Sequence, residues 1–351
     1  MSATRRPRRT RAKQPFWAEF GDAALLDVRL CDLGVSLEKT WLEGAVDDLH
    51  GELERRGIVA RAHVWLSDEW FSPHDTNGIA IPFYLAHPRL MRLERKMVRE
   101  VEGGTKRECM RILRHEMGHV MQRAYGLHRR KSWRDQFGPS SLPYPEHYRP
   151  NPLSRRYVQH LKRWYAQCHP DEDFAETFAV WLAPRATWKK QYDGWGALNK
   201  LNYVDELMEE LAGVKPPPRP RFVLDPLSSF TKTLAQHYKE KCEKYAVDAP
   251  TFFDRDLRRI FSDDPADRSA PSAAAFVRSN RQRIRDAVTR WPPDYARTLD
   301  AVIEDVAERA RVMGLRATGA DRTMRLQVAT LLNRRAIQSL YSAQRRQSFA
   351  V

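Results

Sequence analysis

Between residues 107 and 126 apolar side chains recur every three or four positions, at Met110, Leu113, Met117, Val120, Met121 and Ala124. The spacing predicts one amphipathic helix with a stripe turned to the core. Inside it lies His115-Glu116-Met117-Gly118-His119. Two histidines four residues apart share a helix face and can reach one ion together, while Glu116 stands beside them. An H-E-x-x-H pattern on a helix holds zinc through both imidazoles and uses the glutamate as general base toward water. The plain alternative is a surface helix with two solvated histidines, so a second constellation is needed.

Residues 169–182, HPDEDFAETFAVWL, supply it. Proline suits the first helical position, the acidic residues suit the first turn, and Pro184 stops the segment. Phe174, Phe178, Trp181 and Leu182 form its apolar face. Glu172 and Glu176 are four apart, and two carboxylates buried on one face are costly without a cation or donors to compensate. Zinc would compensate them, with Glu172 as third ligand beside His115 and His119 and Glu176 accepting the outer N–H of a ligand histidine. The alternative here is an acidic, solvated helix start.

Together the two segments resemble the gluzincin class of zinc metallopeptidases. More closely, HEMGH followed by HPDEDFAETFAVWL is similar to the zinc-binding metallopeptidase family of bacteria that carries HExGH and HPxEDxAET helices. The catalytic domain of anthrax lethal factor has a similar E-x-x-x-E helix, with a tyrosine seven residues before the ligand glutamate; that position here is Tyr165. The resemblance spans about residues 36–185. It implies one zinc per chain on His115, His119 and Glu172, Glu116 as base, Glu176 as outer partner and Tyr165 as oxyanion donor. Many members of that family also carry a cysteine-rich zinc ribbon, for which this sequence has no counterpart.

The remaining composition narrows the setting. The 351 residues can bury a sizeable core, and their length suggests two domains. No run of eighteen apolar residues exists, and no apolar stretch follows the basic N-terminal residues, so neither a membrane span nor a secretory signal is expected. Cys31, Cys109, Cys168 and Cys242 are scattered without a C-x-x-C pair and read as reduced thiols of a cytoplasmic protein. Cys168, four residues before Glu172, reads as an apolar thiol, with an alternative ligand role conceivable. The formal net charge of +15 is concentrated in residues 1–13 and 221–351, while residues 14–220 are almost neutral. Nucleic acid could meet that basic surplus, but no recognition motif accompanies it, and a solvated helical face is favoured.

In chain order, residues 1–13 should form a disordered basic tail. A helix is predicted over 36–56, strands over 58–66 and 78–86, and a charged helix over 89–101. Pro82 marks the second strand as a sheet edge, and residues 78–85 are where a peptide would add by strand pairing. Residues 127–152 form a long loop with Trp133, Phe137, Tyr144 and Tyr148, expected to be a lid over the site. Its His128 and His147 read as surface histidines. Residues 154–167 read as a short helix carrying Tyr165, which could be a packing aromatic as readily as a catalytic donor. His169 could cap its helix, line the site or fill the turn. Further helices are predicted over 186–193 and 198–212, a stiff proline-rich linker over 215–220, and helices over 226–246, 251–262, 271–290, 293–314 and 321–346.

The expected architecture is α+β: a zincin-like metallopeptidase domain over residues 14–214, with a small sheet and a metal-binding helix. An all-α region over 221–351 would follow the linker. The expected function is zinc-dependent hydrolysis of peptide bonds in a peptide or protein substrate, through a water activated by zinc and Glu116. The alternative is a zinc-stabilised interaction or nucleic-acid-binding protein without catalysis, against which three ligands argue, since structural zinc usually has four.

Overall fold

The computed structural model describes residues 14–98, 100–145, 148, 151, 154–184, 187–245, 254–288, 303–304, 306–311 and 313–346. The expected basic tail and His147 lie outside them. The chain divides into two compact units, one extending through Lys241 and the other running from Cys242 to Phe349.

The first unit is mostly helical with one small sheet. Helix α1 (Asp22–Leu26) precedes α2 (Trp41–Arg55), which starts where the Thr40 side chain accepts the Leu42 N–H. The expected start at residue 36 fails because Lys39 takes a left-handed φ of 59°, which no α-helix tolerates. Strands β1 (His63–Ser67) and β2 (Gly78–Pro82) pair in parallel, with His63 opposite Gly78 and Ser67 opposite Pro82. Then come α3 (Pro88–Val98), α4 (Lys106–Ala124), α5 (Lys131–Phe137), α6 (Pro170–Leu182), α7 (Trp188–Gln191), α8 (Ala197–Glu210) and α9 (Leu234–Tyr245). One apolar core runs through all of this, from Trp17 and Leu25 through Leu49, Ile79, Leu113 and Phe178 to Tyr238.

Helix α4 is fixed at both ends by its own sequence. Thr105 caps it by accepting the Glu108 N–H, and Gly126 takes the left-handed conformation at φ 61° just beyond its end. Helix α6 is capped by His169, whose side chain accepts the Asp171 N–H, with Pro170 in the first turn. The two helices meet where Gly118 faces Ala175. A Cβ built on Gly118 would lie 2.8 Å from Ala175 Cα and 3.1 Å from its carbonyl oxygen. These are backbone atoms, so a larger residue separates the helices instead of displacing a side chain. Gly118→Ala is therefore expected to destabilise the protein by about 1–3 kcal/mol, the usual cost of overpacking. That outweighs the gain of roughly 1 kcal/mol that alanine gives an unhindered helix. Thermal unfolding checks this, and a raised midpoint would contradict the close crossing.

Several expectations need correction. Residues 78–85 do not offer a free edge to a peptide: β2 is buried along its length, the Ala80 N–H already donates to the Phe71 carbonyl at 2.8 Å, and residues 83–86 turn into a 3-10 helix. Residues 154–167 are not one helix; only Lys162–Gln167 turns, as a 3-10 helix with Trp164 at a φ of 55°. Their amides are taken elsewhere, Gln159 N–H by the Tyr192 hydroxyl and Leu161 N–H by Glu176 Oε2. Part of the expected lid is regular structure, namely Leu127–Arg129 and α5. The proline-rich stretch is not a free linker either. Arg219 donates to the carbonyls of His74 and Arg123, Thr76 donates to Pro220, and Trp65 to Leu224, which straps the segment onto the first unit. The division between units consequently falls at Lys241, after Leu227, Leu234 and Tyr238 have joined the first core. Helix α9 begins at Leu234, not 226, because Thr233 and Gln236 form a reciprocal capping box.

The second unit is built from α10 (Asp254–Ile260), α11 (Ala273–Ser279), α12 (Arg281–Val288) and the long helix Asp321–Arg346. Leu257, Phe261, Val277, Ile284, Val306, Val328 and Leu332 are among its core residues. The single helix expected over 271–290 is two, because Asn280 turns its amide group back onto the Phe276 carbonyl. Residues 293–302 of another expected helix lie outside the described residues. The fold is α+β in the sense that a two-stranded parallel sheet accompanies a largely helical chain. Among the described residues no helix is long and apolar enough to cross a membrane, and no cysteine is in a disulfide.

Candidate metal centre

The α4–α6 crossing brings His115, His119 and Glu172 together, and all three are at least 95% buried. His115 Nε2 lies 3.1 Å from His119 Nε2 and 3.1 Å from Glu172 Oε2, and the third side of the triangle is 3.3 Å. Zinc bonds of about 2.0–2.1 Å in a tetrahedron put neighbouring ligand atoms about 3.3 Å apart, so the three atoms have the spacing of a zinc face.

The protonation pattern agrees with this. His115 Nδ1 lies 2.8 Å from Glu176 Oε1, so its hydrogen belongs on Nδ1 and its Nε2 lone pair faces the centre. Glu176 is satisfied by that donor and by the Leu161 N–H at 2.7 Å. Glu172 Oε2 is buried with no hydrogen-bond partner among the described residues. A cation lying between these converging, buried atoms would satisfy all three at once. The two carboxylates favour positive charge at this place. Burial opposes charge on the His115 imidazole, yet Glu172 and Glu176 hold its affinity for a proton well above the ordinary value. Burial likewise opposes charge on Glu172, but His119 and His115 keep its carboxyl well below the ordinary range. His119 Nδ1 has no partner among the described residues.

Glu116 reaches the β1–β2 connection. Its Oε2 accepts the Ser72 hydroxyl at 2.9 Å. The Ser72 carbonyl in turn accepts from Arg123, one turn beyond His119. Tyr165 stands with its ring centroid 5.7 Å from that of His115. Burial is the chief reason its phenol is held well above the ordinary range. From the segment expected to be a lid comes Tyr144, whose hydroxyl lies 3.0 Å from Glu172 Oε1. Cys168 is half-buried, outside the converging group, and burial pushes its thiol up to about 12. His128 is half-buried and also outside the group.

Ser72 and the contact of Tyr144 with Glu172 are not legible in the sequence. Ser72 carries no motif, and its link to Glu116 crosses 44 residues of chain. Tyr144 gave the weak signal of an aromatic in a long connection before the second motif.

Residues 87–205 match the family model described as "Putative zinc-binding metallo-peptidase", and that stretch contains α4, α6 and all the residues above except Ser72. No curated protein matches the chain, and no solved structure does. This third of the chain is thus similar to that family, and it contains a buried His-His-Glu group that could hold a metal ion.

Proposed function

We propose that the first unit is a single-zinc metallopeptidase of gluzincin type. The observation that carries the reading is the buried triangle of His115 Nε2, His119 Nε2 and Glu172 Oε2, with sides of 3.1–3.3 Å. Zinc held there would supply Lewis acidity toward a peptide carbonyl and make a nearby water a nucleophile near neutral pH.

The chain's own residues do the rest. Glu176 fixes the His115 ring through Nδ1 and keeps its Nε2 free for the metal. Glu116 accepts a proton from the attacking water and returns it to the leaving nitrogen, a contribution of roughly 10²–10⁴-fold. Ser72 donates to Glu116 Oε2 and orients the base before substrate arrives. Tyr165 is assigned the developing oxyanion, on the strength of its nearness to His115. The Tyr144 hydroxyl is engaged with Glu172 Oε1.

The reading is tested by incubating zinc-loaded protein with a proteome-derived peptide library and identifying new termini by mass spectrometry. New termini dependent on zinc are expected; a profile identical to that of the metal-free protein would contradict the proposal. The cleavage products would also give the side-chain preference around the scissile bond. The same preparation discriminates the non-catalytic alternative, because a zinc-stabilised interaction protein leaves the library intact.

A further inference from the structure

Glu172 presents two oxygens with different surroundings. Oε2 faces the two imidazole nitrogens and has no hydrogen-bond partner among the described residues. Oε1 lies 3.0 Å from the Tyr144 hydroxyl. A phenol O–H at that distance from a carboxylate oxygen is the donor and the carboxylate the acceptor.

Tyr144 is itself held by one residue. Its ring stacks on His169 with centroids 3.9 Å apart and planes 18° from parallel. His169 Nδ1 accepts the Asp171 N–H at the start of α6, so its hydrogen is on Nε2. That nitrogen lies 2.8 Å from the Leu142 carbonyl, two residues before Tyr144. One imidazole thus caps the helix with a lone pair, holds the Leu142 carbonyl with its N–H, and supports the tyrosine ring with its face. Glu172 lies on the first turn of the helix that His169 caps, so ring and ligand are referenced to the same rigid element.

We propose that Tyr144 is a positioning residue that restricts Glu172 to one metal-binding oxygen, Oε2, and that His169 holds Tyr144 in place to do so. This rests on the reading of His115, His119 and Glu172 as a zinc site. A carboxylate with both oxygens free can turn and bind an ion through either or both. A donor on Oε1 fixes its rotation, leaves the third coordination position singly occupied, and keeps room at the ion for water and substrate. It also gives the histidine of the HPxED pattern a task in which ring face, acceptor and donor are all used. Asparagine could cap the helix but could not stack.

The test uses the full chain with zinc and cobalt(II) as probes. Zinc affinity is measured by competition with a chromophoric chelator, and the visible spectrum of the cobalt-loaded protein reports coordination number. Tyr144→Phe is expected to keep one metal per chain, to weaken zinc binding roughly 10- to 100-fold, as loss of an outer hydrogen bond does. Its cobalt bands should shift toward the weaker absorption of a higher coordination number. His169→Asn, which retains a side-chain acceptor for the cap, is expected to move both readouts in the same direction. The phenyl ring of Tyr144→Phe preserves the stack, so the metal-free variant should still unfold cooperatively, with a midpoint lowered only by the donor that Glu172 Oε1 loses. Wild-type affinity and an unchanged cobalt spectrum in Tyr144→Phe would overturn the proposal, as would lowered stability of the metal-free variant with an unchanged spectrum. Absence of metal binding in the wild type would overturn the zinc reading itself, and this inference with it.

Discussion

Glu172→Ala is expected to empty the centre of zinc while the helices around it remain. The loss should exceed the roughly 10- to 100-fold that removal of an outer partner costs, because a ligand atom and its charge go together. Two imidazole nitrogens 3.1 Å apart would remain, without the carboxylate that balances the ion. Helix α6 keeps His169, Pro170, Asp171 and Asp173 in its cap and first turn, so its start is preserved. The Tyr144 hydroxyl loses its acceptor, and a buried unpaired donor costs about 1–3 kcal/mol, a further loss visible in thermal unfolding without metal. Metal analysis after exhaustive dialysis measures the main effect. Stoichiometric zinc in this variant would remove Glu172 from the ligand set.

Glu116→Gln should have the opposite profile, with zinc retained and turnover reduced by about 10²–10⁴-fold. The substitution preserves shape, and the Ser72 hydroxyl can still donate to the amide oxygen, so the side chain stays in position without the ability to take a proton. His115 and His119 keep their places on α4. The measurement is kcat/KM on the best peptide from the library screen, beside the zinc content of the same preparation. Turnover within a few-fold of wild type would show that another group serves as base.

What the sequence made legible was local. The 3.6-residue periodicity of 107–126 and the proline and acidic start of 170–182 correspond to α4 and α6, and two pairs of residues four apart put the candidate ligands and Glu176 on facing surfaces. What stayed hidden depends on contacts distant in sequence. The residue between the histidines, Gly118, is required by Ala175 across the helix crossing, which no pattern within α4 reveals. Tyr144 and Ser72 reach Glu172 and Glu116 from irregular segments. The helix read over 154–167 failed for a related reason: its apolar spacing was helical, but Glu176 and Tyr192 claim the Leu161 and Gln159 amides. The Pro-rich stretch 215–220 has a linker's composition, yet side chains of the first unit bind its carbonyls and those of its neighbours. Composition sets stiffness, and only the partners decide whether a segment is free.

The central claim is that one zinc ion occupies the triangle of His115 Nε2, His119 Nε2 and Glu172 Oε2. The most direct test is a crystal structure of the purified chain with anomalous diffraction recorded on both sides of the zinc absorption edge. The account predicts one anomalous peak per chain, about 2.0–2.1 Å from each of the three atoms. A chain crystallised from zinc-containing solution with no peak at that position would contradict it.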